Sequence, residues 1–315
     1  MADNRQHRSY RSIGDVVATL QDRYPDVTPS SLRFLEREGL LSPQRTAGGH
    51  RYYSDRDIER VARIKEWQKQ RLSLNEVRDR LAESDQLAEP AALSTRFLEQ
   101  VLERDYTGAF RSIVAADDLG VPLVTQFGEV LAPALHEVGD RWQHGDLLVS
   151  QEKEVSELSR DVIAELSWRH AHVRPGGPSI VAGCVQGERH ELGLRMTTGL
   201  LRAEGWMVHY LGADVAPQFL LESTRLHRAA AVLLSITMED HFEALTTAIA
   251  TLRQTYLSGA TLPVIVGGDA VRSRLDALQG LDVVAIEETH PGRMLERLQA
   301  VLPARSERPA GLDKG

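Results

Sequence analysis

The segment 187–196, GERHELGLRM, carries the side chains whose types and spacing best suit a site of chemistry. It follows directly on the apolar run PSIVAGCV, so Glu188 and His190 stand just beyond a predicted strand, with Gly193 three residues further on. A neutral imidazole is a good ligand for a transition-metal ion. A carboxylate two residues away can accept a hydrogen bond from the other ring nitrogen and hold the tautomer. The alternative is a surface histidine that only caps the next helix.

The elements that position this segment alternate between strand and helix. Five apolar runs are each followed by a helical pattern: SIVAGCV, WMVHYLG, AAVLLSI, PVIVGG and DVVAI. Five such units predict a parallel sheet with helices on both faces, which binds ligands at the carboxyl ends of its strands. In the flavodoxin-like order 2-1-3-4-5, strands 1, 3 and 4 are neighbours. One edge would then join the segment to Ser235 and Thr237 after strand 3, and to Gly267 and Gly268 after strand 4.

Together these features resemble the B12-binding domain of cobalamin-dependent proteins, with its pattern D/E-x-H-x-x-G, then S-x-L/T, then G-G. The resemblance implies base-off cobalamin with His190 as the lower axial cobalt ligand and Glu188 as the residue that orients it. It also implies that Gly193 leaves room for the nucleotide tail and that the paired glycines let the backbone approach it. The implied cofactor contacts are Glu188, His190, Gly193, Ser235, Thr237, Gly267 and Gly268.

The N-terminal part of the chain predicts two short helices separated by a tight polar turn. DVTPSS supplies the turn and a helix start, with Thr28 or Ser30 as the candidate N-cap, and the second helix is expected over 31–38. This is the pattern of a helix-turn-helix, whose second helix enters the major groove. Gly48 and Gly49 can form the tip of a two-stranded wing that follows.

Residues 10–81 resemble the winged helix-turn-helix domain of the MerR family. The resemblance rests on SLRFLEREGLLSP, GGHRYYSDRDIERV and RLSLNEVRDRL, in that order. In that family the second helix reads the groove and the wing holds phosphates, for which arginine, tyrosine and histidine are suited. The implied partner is double-stranded DNA, with groove contacts from Ser30, Ser31 and Arg33 and wing contacts from Arg45, His50, Arg51 and Tyr52. The alternative is that these arginines belong to ordinary solvated faces.

The middle of the chain predicts a small four-helix bundle. A polar, proline-containing break is expected over 84–94. Helical patterns with short joints, typical of antiparallel neighbours, then follow over 95–104, 106–118, 121–139 and 148–170. Trp142 precedes a turn, and Glu152 and Lys153 lie on the long helix after it. This part resembles the helical cap that sits over a corrinoid, which makes these three residues candidate cofactor contacts.

A MerR-like domain, a helical bundle and a B12 domain in this order resemble the CarH/LitR class of light-sensing repressors. The resemblance implies adenosylcobalamin as the cofactor, with dimers that assemble into a tetramer on DNA in the dark and separate when light cleaves the cobalt–carbon bond. The class covers the upper face of the cofactor with Trp, nine residues, then Glu-His. Trp142 and Glu152 keep this spacing, but Lys153 replaces the histidine.

Two departures from the class bear on the upper face. Lys153 is a poor cobalt ligand because a lysine with its usual pKa is protonated at neutral pH. Gln143 stands where the class can supply a second ligand after photolysis, and His144 is one place further on. Methyl- or hydroxocobalamin, or a cofactor without a light response, therefore remain alternatives.

Composition and charge agree with this organisation. The chain has 315 residues and a net charge of −8, but residues 1–83 hold 16 Lys and Arg against 13 Asp and Glu, a net of +3. A basic N-terminal part on an acidic body suits a DNA-binding domain. The single cysteine, Cys184, lies in an apolar strand, and no signal peptide or membrane span is expected. The chain is expected to be a cytoplasmic, nucleoid-associated bacterial protein.

The predicted fold is multidomain, α and α/β: a winged helix-turn-helix at 9–83, a helical cap at 95–174, a flavodoxin-like (Rossmann-type) domain at 178–302 and a disordered tail at 303–315. The predicted function is a cobalamin-binding transcriptional repressor without enzymatic activity, acting as a homodimer or homotetramer on a pseudo-palindromic operator. One alternative is a corrinoid methyl carrier, which would need a substrate domain or a partner subunit. Another is a regulator that uses its B12 domain only to oligomerise.

Overall fold

The computed structural model describes residues 11–45, 49–87, 89–172, 177–253 and 262–302. The predicted tail at 303–315, Gly48 of the wing tip and the ends of two predicted domains, 9–10 and 173–174, lie outside these ranges. The chain forms two compact units. One runs to Ala92 and includes Asp118–Val121, and the other holds the remainder.

The first unit is a helical domain with a two-stranded wing. Its elements are α1 (Ile13–Leu20), α2 (Pro29–Arg37), β1 (Gln44–Arg45), β2 (Arg51–Tyr52), α3 (Asp55–Lys69) and α4 (Leu74–Leu87). Thr28, one of the two predicted caps, starts α2 in a reciprocal capping box with Ser31. β1 and β2 pair antiparallel. Leu32 and Leu35 of α2 are buried in the core of this unit, so the opposite face of α2 is left exposed.

The stretch 84–94, predicted to be a break that holds a domain boundary, is largely helical, and the two compact units divide within it after Ala92. α4 continues to Leu87, and the next helix already begins at Pro90. Proline is tolerated at the first position of a helix because its missing N–H would have no partner there. The carboxylate of Glu89 accepts a hydrogen bond from the backbone N–H of Ala92 and so satisfies another N–H of that first turn.

Four helical rods precede the sheet, and the second unit begins within the first of them, at Leu93. The first, second and fourth rods are α5 (Pro90–Leu102), α6 (Tyr106–Asp118) and α9 (Val149–Arg169). The third rod is continuous and consists of α7 (Leu123–Thr125), a π-helical turn (Gln126–Leu131) and α8 (Ala132–His144). The third rod runs to His144, five residues beyond the predicted end, so Trp142 lies within its last turn. The wide turn precedes Pro133, which has no N–H for the regular helical bond.

A five-stranded parallel sheet forms the rest of the second unit. Its strands are β3 (Ser179–Cys184), β4 (Met207–Tyr210), β5 (Ala231–Ser235), β6 (Val264–Gly267) and β7 (Val284–Ala285). Their spatial order is β4-β3-β5-β6-β7, which confirms the predicted order 2-1-3-4-5. The helices are α10 (Leu192–Ala203), α11 (Pro217–Leu226), α12 (Phe242–Arg253), α13 (Ala270–Ser273), α14 (Leu275–Gln279) and α15 (Pro291–Val301), with a 3₁₀ turn at Glu239–His241.

Alternate residues of β3 are buried on opposite faces of the sheet, as a strand covered on both sides requires. Val181 belongs to the core beneath α11 and α12, whereas Ile180 and Cys184 belong to the core beneath α10 and α15. α9 packs along α10, where a Cβ on Gly199 would collide with the side chain of Ser167. The helix of the cap and the first helix of the sheet domain therefore approach each other at a position that only glycine permits.

Candidate functional site

The segment 187–190 turns the chain from β3 toward α10 at the carboxyl edge of the sheet. Gly187 has a φ of +87°, and its backbone N–H donates to Asp214 Oδ1 at 2.7 Å. Glu188 is fully buried, whereas the side chain of His190 is 60% exposed. The turn thus places a buried carboxylate directly behind an accessible imidazole.

Four hydrogen bonds converge on the carboxylate of Glu188. Its Oε1 accepts from the backbone N–H of His190 at 2.9 Å and from His190 Nδ1 at 2.6 Å. Its Oε2 accepts from the backbone N–H groups of Thr237 at 2.7 Å and Met238 at 2.9 Å. Burial alone would raise the pKa of Glu188, but these hydrogen bonds outweigh burial and hold the pKa far below its usual range.

An ionised carboxylate only accepts hydrogen bonds, so Nδ1 of His190 carries the proton shared with Glu188. In the neutral ring Nε2 therefore keeps its lone pair and is the atom available to a metal. The pKa of His190 is raised, first by the hydrogen bond to Glu188 and against the effect of burial. Within the described ranges, no three or more His, Cys, Asp or Glu side chains are grouped so that they could hold a metal ion together.

The other predicted cofactor residues meet at the same edge, but by different means. Ser235 ends β5, whereas Thr237 contributes its backbone N–H to Glu188. A Cβ on Gly193 or Gly267 would meet nothing within 4 Å, so both positions border open space. Open backbone at these two sites fits the room that a buried nucleotide tail would need.

The backbone itself requires a glycine at residue 268. Its φ is +108°, and a Cβ there would collide with the backbone carbonyl of Ile236. This glycine is required for the close approach of two neighbouring strand ends, whatever ligand is bound. Cys184 is buried, as predicted, and burial together with nearby carboxylates raises the pKa of its thiol to about 12.

The candidate upper-face residues lie around the α8–α9 joint. Trp142 is 41% exposed and Leu148 and Val149 are exposed as well, so the joint presents apolar surface. Glu152 Oε1 accepts from Ser156 Oγ at 2.7 Å. The side chain of Lys153 is 72% exposed, and its Nζ lies 3.5 Å from Glu152 Oε2.

Glu152 and Lys153 of α9 act on His190 through their charges. After the larger effects of Glu188 and of burial, the charge of Glu152 raises the pKa of His190 and that of Lys153 lowers it. His144 points elsewhere: its Nδ1 is bonded at 2.7 Å to the carbonyl of Asp140 in its own helix.

His241 belongs to this site and was not among the predicted residues. Its Nδ1 is 3.5 Å from Glu188 Oε2, and its ring fills the space beside Gly187. It stands four residues after Thr237, within the loop that follows β5. The only sequence signal was that spacing, which does not distinguish it from the solvated or packed histidines expected elsewhere. His209, expected away from this edge, stacks on His227 with ring centroids 3.4 Å apart.

The candidate DNA-binding residues lie on α2 and the wing of the first unit. Ser30 and Arg33 are exposed, whereas the hydroxyl of Ser31 is used in the capping box with Thr28. Tyr52 is exposed on β2 and His50 is exposed before it. The hydroxyl of Ser31 is therefore already bonded to the backbone of Thr28.

Glu36 joins α2 to the wing and was missed by sequence reasoning. Its Oε1 accepts from Arg45 at 2.7 Å and its Oε2 from Arg51 at 2.6 Å. The burial of Glu36 opposes ionisation, but its hydrogen bonds to Arg51 and Arg45 lower its pKa overall. One carboxylate thus fixes the positions of both wing arginines while neutralising part of their charge.

Comparisons with known proteins agree with the two units. The family model for MerR HTH family regulatory proteins matches residues 22–84, and that for the B12 binding domain matches residues 178–295. The HTH-type transcriptional repressor CarH of Myxococcus xanthus is 32% identical over 263 residues, which cover 78% of this chain and 86% of CarH. The chain belongs to the CarH family. These regulators combine a MerR-type helix-turn-helix with a B12-binding domain.

Two further relatives support different parts of this assignment. The CarH-family repressor CarA of Myxococcus xanthus is 29% identical over 82% of this chain and 88% of its own length. The monomethylamine corrinoid protein of Methanosarcina barkeri covers 65% of this chain and 98% of its own, with a TM-score of 0.54 and 18% identity. At that identity the likeness shows the fold alone. No helix in the described residues is long and apolar enough to cross a membrane.

Proposed function

We propose that this CarH-family chain is a transcriptional repressor that binds cobalamin through His190 and whose self-association and DNA binding depend on the bound cofactor. The observation that carries the proposal is the hydrogen bond from His190 Nδ1 to the buried carboxylate of Glu188. It selects the tautomer with a free Nε2 on an exposed ring, which is the state that a metal-binding histidine needs. The relatives that span most of the chain are named as transcriptional repressors, which favours regulation over catalysis.

The residues proposed to hold the cofactor divide between the two sides of the site. On the sheet side, His190 binds the metal and Glu188 orients it. The backbone at Gly193, Gly267 and Gly268 is proposed to border the tail. Thr237 acts through its backbone N–H, which holds the carboxylate of Glu188, and Ser235 is proposed to contact the cofactor from the end of β5. On the cap side, Trp142, Glu152 and Lys153 cover the opposite face.

Cobalamin supplies a cobalt centre and, in its alkyl forms, a cobalt–carbon bond that light can break. Adenosylcobalamin is the proposed form, with methyl- and hydroxocobalamin as the alternatives. Trp142 offers a half-exposed indole against an upper ligand, and its contact would set the preference among these forms. Lys153 stands where the class has a histidine, and its side chain is 72% exposed beside Glu152. Without an imidazole at residue 153, that face lacks the nitrogen ligand that the class would supply there.

The proposed domains are those predicted from the sequence: DNA reading at 9–83, the cap at 95–174 and cofactor binding at 178–302. On the DNA side, Ser30, Ser31 and Arg33 are proposed to meet base edges and phosphates of the major groove. Arg45, His50, Arg51 and Tyr52 are proposed to meet phosphates along the wing. A dimer would place two such units on the half-sites of a pseudo-palindromic operator.

The test is size-exclusion chromatography of the full chain with adenosyl-, methyl- and hydroxocobalamin, in the dark and after illumination. We expect a coloured complex with a base-off spectrum and a larger assembly with the preferred form. His190→Ala should abolish the base-off, histidine-ligated spectrum. Trp142→Ala should change the ranking of the three forms, and an unchanged ranking would remove Trp142 from the site.

Two outcomes would replace the proposal. Failure to bind any cobalamin, with an unchanged oligomeric state, would point to a regulator that uses the sheet domain only for assembly. Tight cobalamin binding with methyl transfer to an added partner, and no operator binding, would point to a corrinoid carrier. Electrophoretic mobility shift with the same preparations distinguishes these outcomes.

A further inference from the structure

A pocket of about 100 Å³ lies between α9, α10 and β4 in the second unit. Its wall includes Trp168 from α9, Arg195, Thr198 and Arg202 from α10, and Tyr210 from β4. None of the candidate cofactor residues lines it. Two guanidinium groups and two aromatic rings therefore surround a space to which the proposed function assigns no ligand.

Arg202 is the charged group in this wall that has the fewest partners. Its guanidinium donates to the carbonyl of Val208 at 3.3 Å and lies 5.0 Å from the ring of Trp168. No carboxylate of the described residues lies within ion-pair distance of it. Burial and the nearby charge of Arg195 lower the pKa of Arg202, so its surroundings disfavour the charge that it carries. An arginine does not lose its proton in a protein, so only water or an anion can satisfy its remaining N–H groups.

The charges around the pocket do not balance. Arg160 Nε donates to Glu191 Oε1 at 2.6 Å and also pairs with Glu157, while Arg195 lies 3.1 Å from Glu191 Oε2. Both arginines are thus paired with glutamates, and the buried Nε of Arg195 faces Glu191 without a hydrogen bond of good geometry. Arg202 has no carboxylate partner among the described residues, so its positive charge and several of its N–H donors remain uncompensated.

We propose that this pocket binds a small oxyanion, held by the guanidinium groups of Arg195 and Arg202. A space of about 100 Å³ is smaller than the roughly 150 Å³ cavity that admits benzene, which suits inorganic phosphate or a short carboxylate rather than a nucleotide. Guanidinium groups are the side chains best matched to such ligands, because their N–H groups form parallel charge-assisted bonds. The indole of Trp168, which is 66% exposed, screens the guanidinium of Arg202 from bulk water on one side.

The position of the pocket gives the anion a structural consequence. α9 carries Glu152 and Lys153 of the cap, and α10 begins directly after His190. An anion held by α10 beside Trp168 of α9 strengthens the packing between these two helices. The cap and the sheet domain would then be coupled through a second ligand that never touches the corrinoid.

The experiment is isothermal titration calorimetry of the full-length apoprotein with inorganic phosphate, in a phosphate-free buffer at constant ionic strength. We expect saturable binding with half-saturation at roughly 1 mM, the affinity that two charge-assisted hydrogen bonds supply. Sodium acetate should compete, and sodium chloride at the same ionic strength should not. Because the Trp168 indole lines the pocket, tryptophan fluorescence should follow the same curve, and Trp168→Phe should remove that signal.

Arg202→Gln should weaken phosphate binding about tenfold or more, and Arg202→Lys, which keeps the charge and the fold, should weaken it less. Arg225→Gln is the matched control, since Arg225 occupies the last turn of α11 away from the pocket. Circular dichroism of each variant establishes that it is folded. The proposal is overturned if folded Arg202→Gln binds phosphate as the wild type does. It is also overturned if the wild-type protein responds to phosphate no more than to chloride. Either result would leave a pocket that holds only water.

Repeating the titration on the cobalamin-bound protein tests whether the pocket is independent of the cofactor. We expect phosphate still to bind. Competition between phosphate and cobalamin would overturn the proposal by assigning the pocket to the cofactor's own phosphate. Absorption spectra of the same samples report cobalamin binding separately, so loss of the oxyanion site and loss of the proposed cofactor site give different results.

Discussion

Glu188→Gln is the substitution that most directly tests how the site selects a tautomer of His190. Glutamine has nearly the same shape as glutamate, but it replaces one carboxylate oxygen by an amide nitrogen that donates. With that nitrogen at the Oε2 position, the backbone N–H groups of Thr237 and Met238 would both face a donor. With the nitrogen at the Oε1 position, only the backbone N–H of His190 would do so, because Nδ1 of the imidazole can turn from donor to acceptor.

The second arrangement costs less, and its magnitude follows from the hydrogen bonds lost. One orphaned, buried N–H group costs about 1–3 kcal/mol, and the bonds that remain lose the assistance of the charge. We therefore expect the free energy of unfolding of the apoprotein to fall by roughly 2–4 kcal/mol. In this arrangement the ring proton of His190 moves to Nε2, which no longer offers a lone pair to cobalt. Cobalamin affinity should fall about 10- to 100-fold, as when other partners of metal-binding histidines are removed.

The assay combines urea denaturation of the apoprotein with spectroscopic titration by cobalamin. The matched control is Glu191→Gln, because Glu191 is another buried carboxylate and accepts hydrogen bonds from Arg160 and Tyr210 rather than from the imidazole. It should be destabilised to a similar degree, yet keep histidine ligation. The reasoning is refuted if Glu188→Gln binds cobalamin with wild-type affinity and a histidine-ligated spectrum.

Three further predictions concern other parts of the second unit. The pKa of His209 is lowered by burial and by the charges of His227 and Arg202. As the pH falls, His209 is therefore protonated in the unfolded chain at a higher pH than in the folded protein. Stability should therefore decline from near pH 6.5 downward, and His209→Gln should flatten a plot of Tm against pH; an equal slope in both proteins contradicts this. Gly268→Ala should lower the free energy of unfolding, measured by urea denaturation, by about 3 kcal/mol or more, because φ is positive there and the new Cβ would collide with a backbone carbonyl. Gly267→Ala should change the free energy of unfolding by less than about 1 kcal/mol, because a Cβ there meets open space. Lys153→His should add a nitrogen ligand on the upper face and change the absorption spectrum of the illuminated complex; an unchanged spectrum would place residue 153 out of reach.

The sequence by itself determined the order of the elements and the edge at which the site forms. Apolar runs alternating with helical patterns specify a parallel sheet because each run must be covered on both faces. The strand order then follows from a small set of permitted topologies. Glu188 and His190 are two residues apart, so their hydrogen bond is local and could be foreseen. The same holds for the capping box of Thr28 and Ser31.

Contacts between residues far apart in the chain were decided only by the tertiary structure. His241 approaches Glu188 from a loop after another strand, and Glu36 holds two wing arginines from a neighbouring helix. The pocket at Arg202 exists because α9 packs along α10 at a distance that Gly199 permits. Periodicity reports which face of an element is buried, but not which side chain of another element will meet it there. Each of these contacts depends on packing geometry, and so the partners of Glu188, Glu36 and Arg202 became known only with the fold.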